Sequence, residues 1–221
     1  MSQTEQVLNI IHTGGLVAIV RLADLSGAVP LAQALLAGGV TALEFTLTNP
    51  AALEAIRGVK AAVPEFASGQ AVIGAGTVLD AAAAQASVEA GAQFIVAPNT
   101  DLETIKLCQQ LDVPCMPGAL TPTEIVTAWK AGASVVKVFP ARTFGPTYFK
   151  DVRAPLPQIR LMPTGGVDLD NIGAYLKNGA FAVGLGSNLV DERLIAAGDW
   201  AELTAKARAY VEAVRAAREQ N

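Results

Sequence analysis

The sequence predicts an α/β protein, a single (β/α)8 TIM barrel with an extra N-terminal helix, its 221 residues forming one domain. Two observations carry that expectation. Short apolar runs of strand type alternate eight times with runs of helical periodicity, and strict alternation favours a closed parallel barrel over a doubly wound open sheet. The second is a recurring junction, in which a helical run ends on glycine and a buried strand begins one or two residues later. It occurs at Ala37-Gly38-Gly39-Val40, Ala90-Gly91-Ala92, Ala131-Gly132-Ala133 and Asn178-Gly179-Ala180. Glycine just past a helix suits a left-handed cap, and short loops of this kind join helix to strand in βα units.

In chain order, Val7, Ile10 and Ile11 at helical spacing predict the leading helix, ended by Thr13-Gly14-Gly15. Strands follow at Leu16–Arg21, Ala42–Leu47, Val72–Thr77, Phe94–Pro98, Pro114–Pro117, Ser134–Phe139, Ile159–Pro163 and Ala180–Gly186. Between and after them helices are expected at Ser26–Leu36, Pro50–Ala62, Ala81–Ala90, Leu102–Leu111, Pro122–Ala131, Tyr148–Val152, Leu169–Lys177 and Ala201–Arg218. Several strands end on Pro, Gly or Thr, as at the upper rim of a barrel, where active-site loops begin.

Composition narrows the function. Hydrophobic residues make up 52% and charged ones 16%, so much of the chain must be buried, yet no apolar run is long enough to cross a bilayer. The N-terminal residues lack the basic start and apolar stretch of a signal peptide, which leaves the cytoplasm as the default. A net charge of −4 with scattered cations gives no footprint for nucleic acid, so the expected partner is a small molecule. A single histidine, His12, excludes a histidine-based triad and a multi-histidine metal site; Cys108 and Cys115 fit no metal spacing and read as reduced packing residues. No metal and no cofactor are expected.

Chemistry concentrates on Ser134-Val135-Val136-Lys137-Val138-Phe139-Pro140, a buried-strand sequence with a lysine in its middle. An unpaired ammonium there costs several kcal/mol or gives up its proton. Lys137 is thus either a lysine whose head reaches water, or an amine of lowered pKa able to form a Schiff base. Side chains alternate along strands, so Lys137 and Phe139 share a face, as do Ala42, Glu44 and Thr46, and Val17, Ile19 and Arg21. If those faces point inward, Glu44 and Lys137 enter one lumen with Arg21 at its rim. A structural ion pair filling the barrel centre is the other reading of the first two, and their location near the strand C-termini, where barrel enzymes put their chemistry, stands against it.

A second constellation follows the last two strands: Thr164-Gly165-Gly166-Val167 and Gly184-Leu185-Gly186-Ser187-Asn188. Glycines let backbone N–H groups approach an anion, and a short helix starting after Gly186-Ser187 would add its positive end, where barrels commonly bind phosphate. The small residues of Ile73-Gly74-Ala75-Gly76-Thr77-Val78 read as room for a ligand beside the third strand, with Thr77 donating to a carboxylate.

Glu44 in Leu43-Glu44-Phe45-Thr46-Leu47, Ile73 to Val78, Pro117-Gly118, Lys137 in Val-Lys-Val-Phe-Pro, Thr164 to Val167 and Gly186-Ser187 together resemble the class I aldolases of the 2-keto-3-deoxy-6-phosphogluconate and 4-hydroxy-2-oxoglutarate family. The resemblance implies a (β/α)8 barrel, a homotrimer that needs no metal, Lys137 as the Schiff-base lysine and Glu44 as the general acid/base. It further implies that Thr77 binds the pyruvate carboxylate and that Gly165, Gly166 and Ser187 cradle the phosphate; Arg21, Pro98, Phe139 and Thr48 are expected as further substrate contacts and Gly186 as a further part of the cradle. Gluconate-type members usually carry arginine where Thr48 stands; Thr48-Asn49-Pro50 and Phe144-Gly145-Pro146-Thr147-Tyr148 look more like 2-keto-3-deoxy-6-phosphogalactonate aldolases. The expected reaction releases pyruvate and D-glyceraldehyde 3-phosphate, with glyoxylate from 4-hydroxy-2-oxoglutarate as a further product. A phosphosugar isomerase or synthase without an imine, and a non-catalytic phosphometabolite-binding barrel, are the alternatives.

Overall fold

The computed structural model describes residues 2–219. Helix α1 (Gln3–Gly14) starts at a capping box in which the Ser2 hydroxyl and the Glu5 carboxylate satisfy each other's backbone N–H groups. Strand β1 (Leu16–Val20), α2 (Ala28–Ala37), β2 (Ala42–Thr46), α3 (Ala52–Ala62), α4 (Pro64–Ser68) and β3 (Val72–Gly76) follow. Next come α5 (Ala81–Glu89), β4 (Ile95–Val96), α6 (Leu102–Gln110), β5 (Cys115–Met116), β6 (Gly118–Ala119) and α7 (Pro122–Lys130). The remainder comprises β7 (Val136–Val138), α8 (Thr147–Arg153), β8 (Leu161–Pro163), α9 (Ile172–Lys177), β9 (Val183–Leu185), α10 (Glu192–Ala197) and α11 (Trp200–Glu219).

All strand pairs are parallel. Six strands run in the order β5-β4-β3-β2-β1-β9 and three in the order β6-β7-β8, so the sheet curls in two hydrogen-bonded pieces. Pro117 lies between β5 and β6 and has no N–H to donate; β5 falls within the predicted fifth strand, Pro114–Pro117, whereas β6 lies just beyond its predicted end. A parallel bridge between Thr164 and Gly184 joins the end of β8 to β9. The short helices α4 and α10 were not expected; α4 begins on Pro64 and α10 is capped by the Asp191 side chain, but neither has enough residues to give a clear periodicity. The expected glycine caps are present, with Gly39, Gly91, Gly132 and Gly179 all at positive φ.

Strand alternation sorts the apolar residues into two layers. Leu43, Phe45, Val136 and Val138 face the surrounding helices in one continuous core. Val17, Ala42, Val72, Met116, Val135, Met162 and Ala182 form a separate inner core with Val7, Leu8 and Ile11 of α1, which seals the N-terminal ends of the strands. Each fully buried side chain of this kind contributes about 1.5–3 kcal/mol, so α1 is an integral plug rather than an appendage. Cys108 and Cys115 are buried and unlinked.

Candidate active site

The inner core fixes the orientation of the charges. Ala42 and Val135 point into it, and two residues further along each strand so do Glu44 and Lys137, which are 1% and 3% exposed. In register, Glu44 lies between Ile19 and Gly74, and Lys137 between Gly118 and Met162. The two groups influence each other without touching: no carboxylate oxygen of Glu44 is within 4.0 Å of the Lys137 nitrogen. The ion-pair reading therefore fails, and Glu44 Oε2 is buried with no hydrogen-bond partner among the described residues. Burial raises the Glu44 carboxyl above its ordinary value, with Lys137 and Arg21 opposing. Burial likewise lowers Lys137, against the pull of Glu44 and with a push from Arg21. Desolvation outweighs attraction at both, which favours neutral forms. The Phe139 ring sits 5.0 Å from the Lys137 nitrogen.

The small residues of β3 serve packing rather than an open ligand path. A methyl group on Gly76 would overlap the Glu44 carboxylate, and one on Gly74 would meet the Phe94 ring at 2.5 Å. Both glycines make room for neighbouring side chains, which corrects the expectation of space beside that strand. Thr77 follows at φ 57, a conformation that costs a β-branched residue about 1–3 kcal/mol; its hydroxyl has no partner among the described residues. Pro98 lies at the end of the fourth strand, where its backbone occupies the space a side chain at Gly118 would take.

Thr48 is exposed, and its hydroxyl is 2.8 Å from that of Thr46, which donates to Val20 O. Thr48 must then be the donor of the pair. Asn49 spans the loop by donating to Leu22 O and Ala23 O while accepting from Ala51 N–H. Phe144 stacks on Tyr148, whose hydroxyl donates to Leu120 O, and Asn178 donates to Pro146 O. Of the two stretches resembling galactonate-type aldolases, Thr48–Pro50 thus lies in a loop and Phe144–Tyr148 forms the turn that leads into the start of α8.

Beside the lumen, a cavity of about 440 Å3 is lined by Arg21, Phe139, Thr164, Gly165, Gly166, Gly186 and Ser187. Gly165 and Gly166 have φ values of 86° and 89°. The N–H groups of Gly166, Val167, Ser187 and Asn188 find no acceptor among the described residues. The expected helix after Gly186-Ser187 is instead a single turn, with Leu189 and Val190 both donating to Gly186 O; α10 starts five residues later, because Asp191 supplies its cap. A larger cavity, about 580 Å3, lies between α1 and α11 beyond the N-terminal strand ends, far from the lumen charges.

Two residues were given no role in the sequence reading, Thr164 although its motif was singled out and Arg142 altogether. Thr164 lines the cavity with its Oγ1 buried and unpartnered; its parity with the inward Met162 was the available signal. Arg142 lines it too, from a 3₁₀ turn (Ala141–Thr143). Its signal was its place just beyond the end of the lysine strand, where barrels present side chains to ligands.

A buried amine of lowered pKa and a carboxyl held protonatable, with a cavity beside them lined by two arginines and glycine loops, fit carbonyl chemistry on an anionic substrate. Residues 7–206 match the model of the KDPG and KHG aldolase family. The chain belongs to that family. As a member it is a pyruvate-dependent class I aldolase, a carbon–carbon lyase, which sets aside the isomerase and binding-barrel alternatives. Similar proteins include the 2-dehydro-3-deoxy-phosphogluconate aldolase of Pseudomonas aeruginosa, 38% identical over 89% of this chain and 86% of that one. The KDPG aldolase of Legionella pneumophila, solved with pyruvate captured as a covalent carbinolamine, is 30% identical at a TM-score of 0.84, covering 91% of this chain and 96% of that one. A native KDPGal structure is 32% identical at a TM-score of 0.83, covering 92% and 96%.

Proposed function

We propose that this aldolase cleaves a 2-keto-3-deoxy-6-phospho sugar acid, of gluconate or galactonate type, to pyruvate and D-glyceraldehyde 3-phosphate, and also accepts 4-hydroxy-2-oxoglutarate. Neutral Lys137 adds to the C2 carbonyl and loses water to give an iminium. Glu44, directly or through a water, takes the C4 hydroxyl proton; the C3–C4 bond breaks, its electrons pass to the iminium as an enamine, and the aldehyde departs. Glu44 then returns a proton to C3, and hydrolysis frees pyruvate and the amine. Arg21 and Thr77 hold the pyruvate carboxylate, Phe139 and Pro98 shape the pocket, and Thr48 borders the C4 side. Gly165, Gly166, Gly186 and Ser187 cradle the phosphate.

One observation carries the mechanism: Lys137 is buried in the middle of β7 and, among the described residues, forms no ion pair, with Glu44 buried on the same inner side of the sheet. Incubation with pyruvate and borohydride is expected to fix a reduced pyruvyl group on Lys137 alone, read by peptide mass. Labelling elsewhere, or none, sinks the reading. Substrate choice is checked by kcat/KM for the three substrates side by side; one accepted substrate with the others more than about a thousandfold worse would overturn the broad range.

The finer architecture belongs to the same reading. A closed (β/α)8 barrel is supported by the Thr164–Gly184 bridge, by the inner core drawn from all sides of the sheet and by β5 and β6 acting as one strand. A cytoplasmic homotrimer fits the exposed Leu79 and Leu102, apolar side chains after adjacent strands β3 and β4 that a second copy would cover. Light scattering giving a monomer at micromolar concentration would remove the trimer.

A further inference from the structure

Arg142 follows the lysine strand in the sequence Phe139-Pro140-Ala141-Arg142-Thr143, and its backbone is pinned from two sides. Its own N–H donates to Gly165 O at 2.9 Å, and the N–H of Ala141 donates to Thr164 O at 2.8 Å. The Tyr175 hydroxyl donates to Ala141 O at 3.2 Å. A methyl group on Gly166 would meet Arg142 Cβ at 2.6 Å, so glycine at that position admits the arginine turn as well as any ligand. Yet the guanidinium, held at the mouth of the cavity, donates to no group among the described residues. Those residues hold two ion pairs, both at Asp191.

Arg21 lines the same cavity but acts on the reacting centre, since its charge bears on both Glu44 and Lys137. Arg142 bears on neither. The cavity therefore has two cationic ends: one beside the imine, the other at the glycine loops. Glu192 also lines the cavity, so its lining carries two arginines against one carboxylate.

Resting on the aldolase reading, we infer that Arg142 is the charge-bearing clamp for the phosphoryl end of the substrate and sets the preference for phosphorylated over non-phosphorylated sugar acids. Backbone N–H groups and the Ser187 hydroxyl orient a phosphate but leave its two negative charges uncompensated. A guanidinium on a pinned backbone supplies that charge in a planar fork matched to phosphate oxygens, and one charge-assisted bond of this kind changes affinity about tenfold to hundredfold. Arg21, engaged with the carboxylate end, cannot reach both.

The test compares the full-length protein with Arg142→Gln, Arg142→Lys and Glu192→Gln. For 2-keto-3-deoxy-6-phosphogluconate, Arg142→Gln should raise KM about tenfold to hundredfold with kcat within about twofold. For the same sugar acid without phosphate, kcat/KM should stay within about threefold. Arg142→Lys should recover part of the loss, and Glu192→Gln should lower KM for the phosphorylated substrate. Binding of inorganic phosphate, followed by calorimetry, should weaken at least about tenfold in Arg142→Gln. This measurement needs no turnover, so it tests the clamp even if pyruvate trapping fails and the aldolase reading with it. Equal losses on both substrates, an unchanged KM for the phosphorylated one, or unchanged phosphate affinity would each overturn the assignment of Arg142.

Discussion

Two places in the molecule bury ionisable side chains, and they do so in opposite ways. Asp191, 8% exposed, accepts from Lys206 Nζ at 2.8 Å and Arg193 at 3.1 Å while capping α10 through the Arg193 N–H. These partners hold its carboxyl well below the usual carboxylate range. Glu44 and Lys137 are buried more deeply and form no ion pair among the described residues, and both are displaced toward neutrality. A satisfied buried charge ties elements together, here α10 to α11; an unsatisfied one costs stability and is retained for what it does to a ligand.

The sharpest way to break this comparison is to remove one charge from each place. Lys137→Met should lower kcat on the order of 10⁵-fold or more, the scale of losing a covalent nucleophile, while the melting temperature holds or rises. Asp191→Asn should do the reverse, lowering the melting temperature with kcat unchanged. A Lys137 variant that melts much earlier would show that the lysine is structural. Next in size, Glu44→Gln should cost about 10²–10⁴-fold in kcat, while borohydride still traps pyruvate on Lys137. Loss of trapping would mean that Glu44 is needed to form the imine rather than to cleave the bond.

Thr164 extends the contrast to a neutral group. Its Oγ1 has no partner among the described residues, so Thr164→Val removes no hydrogen bond made there and should leave the melting temperature unchanged. If the hydroxyl meets substrate, kcat/KM falls about tenfold; an unaltered kcat/KM would show an idle group. The smallest effect is on pH. In the proposed mechanism the neutral Lys137 amine is the nucleophile, so kcat/KM should rise with pH through the Lys137 ionisation. Arg21 lowers Lys137 and also lowers Glu44. Arg21→Gln should therefore move the acidic limb to higher pH, whichever of the two groups governs it. A limb that moves to lower pH would contradict the influence assigned to Arg21.

By itself the sequence determined the alternating α/β order, the glycine-ended helices and the inward parity of Glu44 and Lys137. These are local matters: period two along a strand and left-handed glycine after a helix are decided within a few residues. It also placed the glycine loops together, because consecutive parallel strands end side by side. Only the tertiary structure decided how those parts meet. Whether Glu44 and Lys137 touch depends on the width of the lumen, and the structure holds them apart. The emptiness that Gly74 and Gly76 suggested is filled by Phe94 and Glu44 from other strands. Arg142 gained its place through the turn after Pro140 and hydrogen bonds to a loop more than twenty residues away. Distances across the curled sheet are set by the packing of side chains from every strand at once, which no single stretch of sequence contains.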